Sequence, residues 1–406
     1  MCRSRAGTCD TSHNDNMMSK VRTASEFKTL VRNRDLDSVK GTYAITCATM
    51  SVMDTATAEF SIRLPEDIPS GYVDRITMNG IPVTPDMIRD GHLDCMILAN
   101  SVRDMDYGIG HLFRDIVSGR TVGLEIETNG TVHRVDTTME DMVKAEITVL
   151  YDPLTAMRAF VNDSPDRKAL LYAGPNGLEG NMGCCSLIGC GEIEPLFNHR
   201  GNAALVQGDT VLLNGAKGRV IRSQGEEGDN GFIQISADMH GMDPRYMGGF
   251  RSPYGPLCVM SVATCLRLDH EDINRESVVS DMGVPLPISN RNNMIPRYWS
   301  SYGDSWPMSE EVTFNASRCL RCDVCSVKAG CPMDAFTSEG IDEGLCLSCG
   351  SCVSECRGKA ISGRLGHVVF DGRRVPVSIR LSSRKKAEEL CIRMRNIILE
   401  QPIFDR

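Results

Sequence analysis

The stretch CLRCDVCSVKAGCP, Cys319 to Pro332, sets four cysteines at spacings of two, two and five residues and closes on a proline. It is answered by CLSCGSCVSEC, Cys346 to Cys356, with spacings of two, two and three. Eight of the chain's 18 cysteines fall in these two runs. A C-x₂-C-x₂-C loop wraps three corners of an iron–sulfur cube, because each two-residue gap is one tight turn, and the fourth ligand comes from elsewhere. In two-cluster bacterial ferredoxins the fourth cysteine of each run ligates the other cluster. On that pattern Cys319, Cys322, Cys325 and Cys356 hold a first [4Fe-4S] cluster, and Cys346, Cys349, Cys352 and Cys331 hold a second.

The two runs also form an internal repeat. CPMDAF after the first triplet matches CRGKAI after the second, each a short turn leading into one small helix. Arg357 stands where a proline is usual, and five residues rather than three precede Cys331. Those departures loosen a loop and remove no ligand. A pair of zinc sites is the competing reading, but zinc favours C-x₂-C pairs split by a longer spacer. The pattern establishes electron transfer as an expectation and says nothing of a substrate.

At 406 residues, 41% of them hydrophobic, the chain has ample material for two or three domains and a real core. A formal charge of −9 and a pI near 5.5 argue against a nucleic-acid or membrane-surface partner, each of which needs a basic face. The longest apolar run, Pro256 to Leu268, is about two-thirds of the roughly 20 residues a membrane span requires. The first 19 residues are polar, without a secretory apolar region, and read as a disordered lead-in, with Met17 or Met18 as alternative starts. Cysteine-rich and without an export signal, the chain is expected in the reducing cytoplasm, where clustered thiols serve as metal ligands or catalysts.

Upstream of Ser300 short strands, Gly-rich turns and a few helices alternate without the regular βαβ rhythm of a doubly wound sheet. Ala24 to Asn33 has helical spacing behind a Thr23 cap. VGLEIET and TVHRVDT around Asn129-Gly130 are the best hairpin signal, and Ala203 to Arg222 reads as strand, turn, strand, turn, strand. The fold class is therefore α+β: a strand-rich main domain over 20–299, a linker over 300–316, the two-cluster module over 317–362, and a C-terminal segment over 363–406. That segment carries an Asp371-Gly372 hairpin and a helix with Ala387, Leu390, Met394 and Ile397/Ile398 on one face. Too small to bury a core alone, it must pack back on the main domain.

Several blocks resemble the homocysteine-biosynthesis (sulfur-incorporation) family, in particular its methanogenesis marker 16 metalloprotein branch. They are TYAITCATMSVMDTATAEF (Thr42 to Phe60), GHLFRDIVSG (Gly110 to Gly119), GPNGLEGNMGCCSLIGCGEIEPLFN (Gly174 to Asn198), GDTVLLNGAKGRVI, MDPRYMGGFRSPYGP (Met242 to Pro256) and VPVSIRLSSRKKAEELCIRMRNIILEQPIF. On this resemblance the bacterial-type ferredoxin module is an insertion ahead of the family domain's last hairpin and helix. The resemblance implies an enzyme that places sulfur on a small aldehyde, aspartate semialdehyde, to give homocysteine after reduction. It also implies a sulfur donor and an electron donor such as a reduced ferredoxin.

Cys47, in AITCATMS, falls where the family places its sulfur-bearing cysteine; the competing reading is a buried structural thiol. The family's second cysteine has no secure counterpart, since none lies between Cys95 and Cys184. Cys184, Cys185 and Cys190 sit in a Gly-rich loop that suits a thiol relay, with Cys185 its candidate; loop packing and a third cluster are the alternatives. His111 and His240 are candidate general acids for the departing water, or plain structural histidines. Arg245 and Arg251 are candidate clamps for a substrate carboxylate, or solvated surface arginines. Cys258 and Cys265 read as core. Against the enzyme stands a second class of function, an electron-transfer or maturation factor serving a redox enzyme such as methyl-coenzyme M reductase, with no small-molecule turnover of its own.

Overall fold

Short runs of alternating apolar and polar residues, punctuated by Asn-Gly and Asp-Gly pairs, fold here into antiparallel strands. The computed structural model describes residues 43–53, 56–98, 107–151, 158–164, 167–172, 207–208, 210–223, 233–252, 255–267, 285–290, 293–301, 312–370 and 373–380, with 383, 386, 389, 390 and 393. The lead-in, the expected helix at Ala24 to Asn33, and the Cys184–Cys190 loop lie outside the described residues.

The first strands are β1 (Tyr43–Met53), β2 (Ala56–Arg63), β3 (Gly71–Tyr72), β4 (Arg75–Met78), β5 (Ile81–Arg89) and β6 (His92–Leu98). Helix α1 (Ile109–Val117) follows, then β7 (Val122–Thr128), β8 (Thr131–Thr137) and β9 (Met142–Tyr151). Next come a hairpin of β10 (Arg158–Ser164) and β11 (Arg167–Tyr172), and a meander of β12 (Thr210–Leu213), β13 (Ala216–Ser223) and β14 (Ile233–Asp238). β15 (Met247–Ser252) pairs with the long β16 (Gly255–Arg267), and β17 (Pro285–Asn290) with β18 (Asn293–Ser301). The cysteine-rich segment holds β19 (Val312–Phe314), α2 (Ser326–Gly330), α3 (Ser351–Glu355) and β20 (Ile361–Gly363). β21 (His367–Phe370) and β22 (Arg373–Arg380) follow it.

Fourteen strands share one antiparallel sheet, in the order β1-β16-β12-β13-β14-β9-β2-β6-β5-β4-β7-β8, with β15 beside β16 and β3 beside β5. The sheet curls, so that β1 at one end of this path touches β9 in its middle. Along β2 every second residue, Ala56, Ala58, Phe60 and Ile62, is buried while the residues between face outward. That is the period-two pattern of a strand with one covered face. Type I′ turns set the registers, each with both central residues at positive φ. Asn129 and Gly130 have φ of 50° and 74°, as the sequence suggests, and Asn79-Gly80, Asp90-Gly91 and Asn214-Gly215 make the same turn.

The C-terminal segment returns to the body. β22 pairs with β10 in a four-stranded sheet, β11-β10-β22-β21, with Phe370 paired to Arg373. Residues 386, 389, 390 and 393 are helical, and Leu390 is fully buried in the main core. The boundary of the cysteine-rich unit needs one correction. Val312–Phe314, read from sequence as linker, pairs with Ile361–Gly363, so the compact unit begins at 312. No helix among the described residues is long and apolar enough to cross a membrane.

Candidate functional site

The cysteine-rich unit is a two-fold repeat, each half comprising a strand, a cysteine triplet, a one-turn helix and a fourth cysteine. The outer strands β19 and β20 pair, while Phe336 bridges Ile341 between the halves. Phe314 and Phe336 meet edge to face, their ring centres 5.2 Å apart. The backbone repeats in detail. Arg321 and Ser348, each just before the second cysteine of its triplet, have φ of 48° and 55°. Asp334 and Lys359, each three residues past the fourth cysteine, have φ of 48° and 49°. In both halves the amide four residues after the fourth cysteine donates to its sulfur, Ala335 N to Cys331 Sγ at 3.2 Å and Ala360 N to Cys356 Sγ at 3.4 Å. Ser348 N donates to Cys346 Sγ at 3.3 Å. Amides aimed at sulfur favour the thiolate.

The fourth cysteine of the first run lies against the second triplet. Cys331, Cys346, Cys349 and Cys352 lie close enough for their charges to interact. Burial, then the neighbouring thiols, pushes the Cys349 thiol up, and burial with Cys346 and Cys331 pushes Cys352 up to about 12. In the other set, Ser326 Oγ, next to Cys325, donates to the Glu355 carbonyl next to Cys356 at 2.8 Å. A Cβ on Gly358 would land on the Arg318 carbonyl and Leu320, so the turn after Cys356 lies against the start of the first triplet. Among the described residues no three His, Cys, Asp or Glu side chains are placed to hold a single metal ion. A cube binds each thiolate through a different iron, so its ligands stand farther apart than those of one ion. The donor set, four thiols with amides directed at the sulfurs, fits such a cube.

The two tetrads differ in surroundings. Cys322 is exposed, whereas Cys349 is buried in a small apolar cluster with Val259 of β16, Met333, Ala335 and Leu347. This second tetrad is seated on β15 and β16. Gly249 N donates to the Pro332 carbonyl at 3.0 Å, and Gly248 passes so close to Pro332 and Met333 that no Cβ fits. Arg114 of α1 pairs with Asp334. From the other side the buried Lys386 ammonium donates to the carbonyls of Arg245 and, at 2.6 Å, Gly344. Burial lowers its pKa to about 8.

Cys47 lies on β1, the strand paired to β16 on the side away from β15. Ile45 faces Cys265 and Ala48 faces Ala263, so Thr46 and Cys47 together oppose Thr264. Cys47 thus sits in a β-bulge, the irregularity that re-aims a side chain beside many active sites. Its own side chain, like those of Arg251 and Cys265, lies outside the described residues, as does all of Cys185.

The remaining candidates are engaged elsewhere. His111 Nδ1 accepts from Gly108 N at 3.1 Å and so caps its own helix, and its ring stacks on Tyr107 and covers Gly249. Burial, then Arg114, lowers its pKa, which favours the neutral ring. His240 Nδ1 lies 2.6 Å from Asp238 Oδ1 and Nε2 2.8 Å from the Met142 carbonyl. Arg245 forks onto Asp243, Nε to Oδ1 at 3.0 Å and Nη2 to Oδ2 at 2.6 Å, so two of its five N–H donors go to an internal carboxylate. Cys258 is buried in the core, its thiol pushed up to about 12.

Sequence reasoning missed a cleft of about 520 Å³ walled by β9, β13 and β14. Lys144, Glu146, Lys217, Arg219 and Asp238 line it, with His240. Outward positions on β9 and on the β13–β14 pair carry no shared motif, so no sequence signal marked it. Along the sheet path β13 is three strands from β1.

The chain belongs to the family described as "Homocysteine biosynthesis enzyme, sulfur-incorporation", which it matches over residues 19–404. It is 30% identical over 391 residues to an uncharacterized protein of Methanothermobacter thermautotrophicus, covering 93% of this chain and 89% of that one. It is 26% identical over 390 residues to an uncharacterized protein of Methanocaldococcus jannaschii, covering 93% and 97%. No solved structure matches it.

Proposed function

We propose that this family member is an iron–sulfur redox enzyme that incorporates sulfur reductively into a small aldehyde at Cys47, using two [4Fe-4S] clusters held by a built-in ferredoxin-type module. One arrangement carries the reading. The buried tetrad Cys331, Cys346, Cys349 and Cys352 rests on β16, and the neighbouring strand on β16's other side carries Cys47 in a bulge. The exposed tetrad, with Cys322 at the surface, is the natural point for a low-potential electron donor.

In the chemistry proposed, a persulfide on Cys47 adds through its outer sulfur to the aldehyde carbon, and the carbonyl electron pair moves to oxygen and takes a proton. Two electrons cleave the S–S bond and return the Cys47 thiolate. Loss of water leaves a thioaldehyde, and two more electrons with two protons give the thiol. Starting from sulfide itself, only the last pair is needed. The clusters, when bound, supply these electrons one at a time. Aspartate semialdehyde, giving homocysteine, is the substrate the family description suggests.

The test is anaerobic purification of the full chain with iron and acid-labile sulfide analysis, then assay for thiol from aspartate semialdehyde and a sulfane-sulfur donor that can load Cys47 as a persulfide, under a low-potential reductant. About eight iron per chain are expected, with turnover lost in Cys47→Ser. Equal turnover by Cys47→Ser would exclude Cys47 as the sulfur carrier. A second reading, an electron-transfer or maturation factor linked to methanogenesis, is favoured by one observation, that both relatives come from methanogens. Full iron with no thiol product would select it.

A further inference from the structure

Arg114 lies at the seam between the main sheet and the buried tetrad. It is 5% exposed, its charge interacts with that of Cys331, and its Nη2 pairs with Asp334, three residues past that cysteine. Its Nη1 is buried with no hydrogen-bond partner among the described residues. A guanidinium cannot shed its proton, so an unpaired buried N–H at this place is a costly arrangement unless something anionic faces it. Lys386 brings a second buried amine near Cys346, from a segment far away in sequence. The exposed tetrad has no buried cation among the described residues.

Reduction adds one negative charge to a thiolate-ligated cube. Burial opposes that charge and by itself makes the inner cluster the poorer electron acceptor. A fixed cation nearby acts in the opposite sense. Resting on the cluster reading above, we infer that Arg114 is a positioning residue that donates its free N–H to the sulfur shell of the inner cluster. There it raises that cluster's potential, so that electrons arriving at the exposed cluster continue inward. Asp334 partly offsets this charge, so the pair sets the potential between them.

The test is redox titration of the full chain by EPR, with iron and sulfide counted in every variant. Arg114→Gln is expected to weaken reduction of the inner cluster at least about tenfold, ~59 mV for a one-electron couple, and to leave the outer cluster unmoved. Arg114→Lys should retain most of the effect. Asp334→Asn is expected to shift the same cluster the opposite way. A merely structural role for the pair moves the two variants in the same direction, and that result, or no shift in either, overturns the inference. Should Arg114→Gln fail to load the inner cluster, Asp334→Asn decides: its carboxylate is half exposed, and no upward shift overturns the proposal. A wild-type chain without iron overturns the cluster reading and this inference with it. A full iron complement with unmoved potentials overturns the inference alone.

Discussion

Gly248→Ala tests whether the cysteine-rich unit is truly seated on the main sheet. The new methyl would land on the Pro332 carbonyl oxygen and the Met333 sulfur, both at the base of the inner tetrad. The Pro332 side is backbone, pinned by the Gly249 N–H bond at 3.0 Å, so it cannot swing aside as a side-chain tip would. Overpacking of this kind costs about 1–3 kcal/mol, and the weakened hydrogen bond about 1 more. Unfolding entropy of about 2.1 cal/mol/K per residue over 406 residues amounts to ~0.85 kcal/mol/K. A loss of about 2–4 kcal/mol then lowers Tm by about 2–5 °C if body and unit unfold together. Calorimetry of the iron-loaded chain measures this, with Gly330→Ala as control. A Cβ at Gly330 meets nothing within 4 Å and sits in a helix, where alanine gains about 0.5–1 kcal/mol. Equal melting of Gly248→Ala and wild type would show that unit and sheet do not bear on each other as described, and the route from inner cluster to β1 would fall with it.

Two further outcomes follow from the site. His111→Ala removes the acceptor for Gly108 N–H and should cost about 1 kcal/mol, read from urea midpoints, while leaving kcat within about threefold; a loss of the ~10²-fold size that general acids contribute would reinstate His111 as the proton donor. Asp243 is half-buried, which alone would raise its pKa, but hydrogen bonds from Arg245 outweigh this and hold it below its ordinary 3.8. A carboxyl depressed in the folded state contributes stability that is present above its unfolded pKa and is lost as pH falls through the folded value. Wild type should therefore lose more stability than Asp243→Asn between about pH 5 and pH 3, and parallel pH curves for the two would refute the pairing.

How much of this was legible in the sequence depends on whether the signal is local. The two cysteine triplets are legible from their short spacings, and the expectation that Cys331 joins Cys346, Cys349 and Cys352 comes from the two-cluster ferredoxin pattern rather than from spacing alone. The hairpin at Asn129-Gly130 is legible because its turn signal is local, and Asn79-Gly80 and Asp90-Gly91 carry the same signal. The strand at Val312–Phe314 was taken for linker, since three residues show no period and its partner, Ile361–Gly363, lies nearly fifty residues on. Arg114 and Lys386 were invisible for a stronger reason. An arginine in GHLFRDIVSG and a lysine in SSRKKAEEL look like solvated helix faces, and only the seating of the unit on β15 and β16 makes them buried neighbours of the same tetrad.

The order of strands around β16 is what turns two separate motifs into one site. Val259, near one end of β16, shares an apolar cluster with Met333, Leu347 and Cys349, and it is paired with Val52 of β1. Thr264, opposite Cys47, lies five residues further along the same strand. At about 3.4 Å per residue and about 4.8 Å between strands, the backbone of Cys47 lies ~18 Å from the backbone of Val259. A sulfur chemistry that ran without the clusters would have no use for that proximity, and a pure electron carrier would have no use for a bulge at the cysteine. Both features sit on the two sides of one strand, and the proposed pairing of a thiol with an electron source rests on that placement.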